Sequence, residues 1–170
     1  TKKWLVTGAG EGLGRTLVET LLSEGVFVIG LCLDVADNRD LEKKYAATYR
    51  SFAFDLAKLD GIEEIVASAY KEAGEFDVVF SNAGYLLLGA AEEVNSFELE
   101  DMIDAYLKGS LIFLAANLPY LRKAGKGKLI QVTGENAFMA KEGKAIYSAV
   151  LHALDGYISA LNEEMKPFGV

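Results

Sequence analysis

The stretch "WLVTGAGEGLG", Trp4 to Gly14, constrains this chain more than any other. Its apolar start, Trp4–Val6, has the length and content of a short buried strand. Thr7 and three spaced glycines follow, Gly8, Gly12 and Gly14, and then a helical pattern over Gly12–Ser23 with Leu13, Leu17, Leu21 and Leu22 on one face. Glycine at these positions lets the backbone turn sharply, lets an anionic group approach the main chain, and lets the helix pack close to the strand. The helix start then offers free N–H groups and a partial positive charge to a phosphate. A strand, a glycine turn and a helix in this order predict a dinucleotide-binding βα unit, with Gly8, Gly12, Leu13 and Gly14 against the pyrophosphate. The same glycines would also suit a tight turn that holds nothing.

The rest of the chain repeats the alternation. Val26–Leu33, Arg50–Phe54, Phe76–Phe80 and Lys128–Val132 read as strands, and Gly61–Ala73, Glu98–Lys123 and Ile146–Met165 as helices. Apolar strands alternating with helices predict an α/β fold, a doubly wound parallel sheet of about five strands covered on both faces. No shift in composition divides residues 1–170, so one domain is expected. Ser96 is the expected N-cap of the long helix, followed by Glu98 and Glu100 in its first turn.

Charge and rare residues narrow the chemistry. The net charge of −8, from 17 basic and 25 acidic residues, argues against nucleic acid or an anionic membrane as partner. Cys32 is the only cysteine and His152 the only histidine. A disulfide framework is ruled out, and neither a metal site nor a Ser-His-Asp triad is assigned. A lone cysteine in an apolar run fits a reducing, cytoplasmic compartment. No apolar stretch reaches the length of a membrane span, and Trp4–Thr7 is too short for a signal peptide. The chain opens on Thr1, so one or more preceding residues are expected to be absent.

Several further motifs fall in order. Thr7, Gly8, Gly12 and Gly14 form TGxxxGxG; Asp55 and Leu56 end the "FDL" run; Ser81–Gly84 read "SNAG"; Tyr106–Ser110 read "YLKGS"; and "VTGENA" precedes Tyr147. Over nearly all of its length the chain resembles the short-chain dehydrogenase/reductase family. The resemblance implies a Rossmann domain with NAD or NADP as cofactor. Asp55 and Leu56 would lie beside the adenine, with Asn82, Ala83 and Gly84 along the dinucleotide and Tyr147 as catalytic acid/base toward an alcohol or carbonyl. It also implies two more strands after Lys128–Val132, which this chain lacks. A fragment, a reduced domain or an engineered form is therefore expected, with Lys128–Val132 left as an open edge.

The family's chemistry fits this chain less well than its fold. Its catalytic set is Asn, Ser, Tyr and a Lys four residues after the Tyr; here those positions hold Tyr106, Gly134, Tyr147 and Leu151. A tyrosine has a reference pKa of about 10, and a nearby cation lowers it by about 1–3 units. Leu151 supplies no cation. Gly134 lacks a hydroxyl of the kind worth about 10²–10³ in rate. Thr133, Lys144 and His152 are the nearest substitutes, each offset from the position required.

For the choice of dinucleotide, an acid near the adenosine 2′ position favours NAD and a base favours NADP. Glu11 precedes Gly12, and Asp34 lies about twenty residues after Gly14, as a ribose-binding acid can. Arg39 is the only base in the loop that follows. The balance points to NAD with NADP possible, although Asp34 could equally do no more than cap the next turn. Tyr85–Leu88, "YLLL", suits either an apolar substrate entrance or core packing. A homodimer is expected through the two long helices, whose Leu111, Phe113, Leu114, Leu151, Leu154 and Ile158 exceed what one sheet face needs. Three functions remain open: an active NAD(P)-dependent oxidoreductase, a dinucleotide-binding protein without hydride-transfer chemistry, and a fold with no ligand role.

Overall fold

The computed structural model describes residues 1–170. Five parallel strands form one sheet: β1 (Lys3–Thr7), β2 (Phe27–Cys32), β3 (Tyr49–Ala53), β4 (Val78–Ser81) and β5 (Lys128–Gln131), in the spatial order β3-β2-β1-β4-β5. Every pairing is parallel; Leu5 lies opposite Ile29 on one side and Val79 on the other. The chain winds outward from β1 to β3, returns, and winds the other way through β4 and β5. That reversal leaves a crevice at the C-terminal ends of β1 and β4, where open α/β sheets hold their ligands.

Alternation along the strands sends side chains to two cores. Leu5, Ile29, Leu31 and Val79 face a cluster of 16 buried residues that includes Val66, Phe76, Phe113, Leu121 and Met165. Their neighbours Val6 and Val28 face the other side, packing with Val18, Leu21, Leu22, Leu41 and Tyr49. α1 (Gly12–Ser23) and α2 (Arg39–Lys44) thus cover one face, and α3 (Ile62–Ala73), α5 (Gly109–Ala124) and the end of α6 (Ala145–Met165) cover the other. Each fully buried large aliphatic side chain contributes about 1.5–3 kcal/mol. Tyr70 stacks on Tyr120 at 3.9 Å and 7° between α3 and α5.

Several expectations need correction. The long helix expected over Glu98–Lys123 runs unbroken from Ser96 to Ala124, but its middle, Met102–Lys108, is π-helical between α4 (Ser96–Asp101) and α5. Its N-cap is Asn95 rather than Ser96; Asn95 accepts from the Glu98 N–H and Glu98 reaches back to the Asn95 N–H, a capping box. A 3₁₀ turn over Val35–Asn38 and the short α2 occupy what read as loop. Leu13 does not join the buried face of α1; it is 59% exposed.

The apolar surplus of the two long helices also has an internal use. Phe113, Leu114, Leu151 and Leu154 are fully buried in the chain's own cores, and Leu111 and Ile158 pack against them. α6 serves two clusters in turn: Val150, Leu151 and Leu154 in a third cluster with Met102 and Tyr106, then Leu161 and Met165 in the first. β5 pairs only with β4, so its other edge is open. Beside it runs a groove of about 480 Å³, lined by Leu118, Leu129, Ile158, Met165 and Val170 among others. No helix is long and apolar enough to cross a membrane.

Candidate functional site

The glycine turn is built as the sequence predicts, and each glycine has a separate reason. Gly14 is buried at the start of α1, and a Cβ there would lie 2.0 Å from the Gly8 carbonyl oxygen. Gly8 has φ +67°, and a Cβ on it would lie 2.8 Å from Asn82 Nδ2. Gly12 has φ +53° and nothing within 4 Å of such a Cβ, so its surface faces open space. Two glycines therefore close the strand against the helix, while the third leaves bare backbone beside the helix N-terminus. A cradle of this form fits an anionic phosphate ester.

Thr7 ties the turn to the "SNAG" segment. Its hydroxyl is 1% exposed and accepts from the Asn82 N–H at 2.8 Å and the Ala83 N–H at 2.9 Å. Asn82 Nδ2 also approaches the Thr7 carbonyl at 3.4 Å. The residues of the two motifs, 75 positions apart, thus meet at the crevice between β1 and β4. Asp55 and Leu56 follow β3 on the same edge of the sheet. Asp55 accepts from the Ala57 N–H at 3.0 Å, and the Leu56 carbonyl lies 2.4 Å from where a Cβ on Gly109 would stand.

Asp34 does what its alternative reading foresaw: its carboxylate accepts from the Ala36 N–H at 2.8 Å and caps the 3₁₀ turn. Arg39 makes no ion pair with it. Arg15, which sequence reasoning passed over, organises this corner instead. Its guanidinium pairs with Glu19 at 2.7 Å and Asp40 at 2.5 Å, and donates to the Asp37 carbonyl at 2.7 Å and Asn38 Oδ1 at 3.0 Å. The Arg15 pairing holds the Asp40 carboxyl below its ordinary value. Cys32 is buried and accepts from Asn38 Nδ2 at 3.3 Å. Burial is the main cause that pushes its thiol up, and among the charged neighbours Asp37 contributes more than Asp34.

Three of the four positions of the expected catalytic set, Tyr106, Tyr147 and Leu151, share one cluster, with altered contents. Tyr147 is half-buried in the first turn of α6. Its ring centroid is 6.2 Å from that of Tyr106, which in turn is 6.4 Å from Tyr85. Tyr106 lies against Gly84, where a Cβ would stand 2.3 Å from the ring. Burial, and then the neighbouring Tyr147, push the Tyr106 phenol up. The Tyr85 hydroxyl donates to Asp101 at 2.7 Å. Leu151 is fully buried among Met102, Tyr106, Ala137, Val150 and Leu154. Gly134 has φ +98°, a conformation that side-chain-bearing residues rarely adopt.

None of the three substitutes supplies what is missing. His152 is exposed and its Nδ1 lies 2.8 Å from the Ser148 carbonyl on its own helix. Lys144 stands at the N-cap of α6, before the turn that carries Tyr147. Thr133 lies beyond the end of β5. Tyr85, Leu86 and Leu88 are exposed rather than core, as are Phe138 and Met139 on the loop after β5, while Leu87 packs inward. The Gly89 N–H donates to the Gly143 carbonyl at 3.0 Å and joins the two loops.

The family profile described as short chain dehydrogenase matches residues 2–170. This chain belongs to the short-chain dehydrogenase family. A 3-ketodihydrosphingosine reductase of Bacteroides thetaiotaomicron is 29% identical over 166 residues, covering 98% of this chain and 59% of that protein. The crystal structure of a short-chain dehydrogenase from Streptomyces avermitilis superposes with a TM-score of 0.95 at 31% identity, covering 99% of this chain and 62% of that one. A metagenomic short-chain oxidoreductase crystallised with NADP gives a TM-score of 0.90 at 26% identity, covering 98% and 76%. The chain spans 59–62% of the length of the first three curated relatives it matches.

Proposed function

We propose that this short-chain dehydrogenase family member binds the ADP half of a nicotinamide dinucleotide, NAD in preference to NADP, and in this form carries out little or no hydride transfer. Gly8, Gly12, Leu13 and Gly14 would face the pyrophosphate. Asp55 and Leu56 would face the adenine, and Asn82, Ala83 and Gly84 the nicotinamide side. Support for the binding half comes from the open backbone at Gly12 beside the α1 N-terminus and from the NADP-bound relative.

Support for the second half is the apolar third cluster. A bound dinucleotide would supply or accept the hydride; the protein's own share is to move a proton at the substrate oxygen. Tyr147 would be the group to do that, but Leu151 stands at the expected cation position, inside an apolar cluster. Tyr106 occupies the volume of a smaller polar residue over Gly84. Leu151 therefore brings no positive charge to the Tyr147 hydroxyl. Watching NADH absorbance against a panel of ketones and aldehydes tests this. No decay above background is expected; turnover that disappears in Tyr147→Phe would establish the alternative, an active oxidoreductase using Tyr147.

Two further points belong to the same proposal. The cytoplasm is its compartment, supported by the single unpaired, buried Cys32. Self-association into a homodimer is supported by the open β5 edge and its groove. The helix residues that first suggested pairing are mostly used inside the chain.

A further inference from the structure

The two ends of the crevice between β1 and β4 are not equally furnished. On the side of the glycine turn, Glu11 stands at the N-cap of α1 and makes no side-chain bond to the helix start, so the first N–H groups of the helix are free. Gly12 lies exposed beside them with open space around it. Asp55 bonds the Ala57 N–H through Oδ1 alone, which leaves Oδ2 for the amino group of a purine. These groups suit a diphosphate joined to a purine nucleoside.

From Asn82 onward the donors are already spent. The Asn82 and Ala83 N–H groups both donate to Thr7 Oγ1, and Asn82 Nδ2 turns back to the Thr7 carbonyl. A Cβ on Gly84 would stand 2.3 Å from Tyr106 Cζ and 2.8 Å from its hydroxyl oxygen, so that ring fills the space over the segment. Tyr106 is itself only 5% exposed, with Tyr85 and Tyr147 as its ring neighbours. The Tyr85 hydroxyl donates to Asp101, and Leu151 is fully buried and apolar. A nicotinamide riboside carries sugar hydroxyls and a carboxamide, each of which needs a partner once it leaves water. Donors turned to Thr7 and rings packed on one another do not supply them.

We propose that the crevice recognises its ligand by the adenosine diphosphate end alone, so that ADP or an ADP ester such as ADP-ribose is the ligand class and the nicotinamide riboside of NAD contributes nothing to binding. The inference rests on the dinucleotide reading of the glycine turn and narrows it to one half. It gives the missing proton chemistry a counterpart in binding. The same Tyr106 and Leu151 that leave Tyr147 without a helper leave the second nucleoside without a seat.

Calorimetric titration of the whole chain with ADP, ADP-ribose, NAD and nicotinamide mononucleotide tests it. A second nucleoside gripped by its own hydrogen bonds strengthens binding by about tenfold or more. Here ADP, ADP-ribose and NAD are expected to bind within about threefold of one another, and the mononucleotide not at all. Saturation-transfer NMR on bound NAD should attenuate the adenine ring protons and leave the nicotinamide protons untouched. Gly12→Asp, which sets a carboxylate in the open space beside the helix start, should weaken all three adenine ligands by about tenfold, and the uncharged Gly12→Asn by much less. NAD that binds more than about threefold tighter than ADP and ADP-ribose, or nicotinamide protons attenuated as strongly as the adenine protons, overturns the proposal and leaves the binding site standing. Affinities unmoved in Gly12→Asp, or wild type that binds none of the three, overturn the site itself and the proposal with it.

Discussion

Placing a lysine at residue 151 is the obvious way to repair the family's catalytic set, and the structure predicts that it destabilises the fold instead. Leu151 is fully buried, with Met102, Tyr106, Ala137, Val150 and Leu154 around it. The nearest acid on the same helix is Asp155, one turn on, and such a pair returns only about 0.3–0.5 kcal/mol. An ammonium sealed in apolar surroundings has its pKa lowered by up to about 3–5 units. A lysine forced neutral at pH 7 from a reference pKa of about 10.4 costs about 4–5 kcal/mol, at about 1.4 kcal/mol per unit. A domain with about 5–15 kcal/mol in total loses a large share of its stability.

The sign of the pH dependence follows from the same shift. Between the lowered folded pKa and the unfolded one, the unfolded chain binds more protons, so stability rises with pH. The deficit of Leu151→Lys should be larger at pH 7 than at pH 9, by about 2–3 kcal/mol. Urea unfolding of Leu151→Lys beside Leu151→Met, which should cost less than about 1.5 kcal/mol at either pH, supplies the measurement. A lysine variant within about 1 kcal/mol of the methionine variant at pH 7, with no pH trend, would refute the apolar assignment of this cluster.

Three other outcomes follow from the site. Gly14→Ala places a Cβ 2.0 Å from the Gly8 carbonyl and should destabilise by well over the cost of Gly12→Ala, which meets open space and bears only its positive φ, about 1 kcal/mol; equal midpoints in denaturant would contradict this. Tyr147→Phe should leave NAD affinity within about twofold by calorimetry, because the phosphate cradle is built by Gly8, Gly12 and Gly14 and the start of α1; a larger loss would move the phenol into the binding site. The Asp40 carboxyl, lowered by Arg15, makes its contribution above its unfolded pKa of about 4 and loses it as pH falls through the folded value. An NMR titration that gives Asp40 the same pKa in wild type and Arg15→Gln would remove that link.

How much of this could be read from the sequence differs by feature, for physical reasons. The glycine turn and the five strands were legible because each rests on a local pattern: glycine where a side chain cannot fit, and apolar runs where both sheet faces are covered. "SNAG" was legible through its resemblance alone; nothing local announces that Thr7, 75 positions earlier, accepts from its backbone. α2 escaped because six residues with one buried anchor, Leu41, carry no periodic signal. The surplus on the long helices misled because period cannot distinguish a partner's surface from a second internal cluster. Asp34 fitted the spacing rule for a ribose acid, yet its carboxylate accepts from the Ala36 N–H and caps the 3₁₀ turn at Val35–Asn38. The π-helical stretch that carries Tyr106 depends on a hydrogen-bond shift that composition does not mark.

A titration of NADH, read together by its fluorescence and by its absorbance in the presence of a carbonyl panel, tests the central claim most directly. The account predicts a fluorescence change that saturates with added protein and is displaced by ADP-ribose, while the absorbance holds at its background rate. Unchanged fluorescence would contradict the dinucleotide site, and an absorbance decay abolished by Tyr147→Phe would contradict the loss of chemistry.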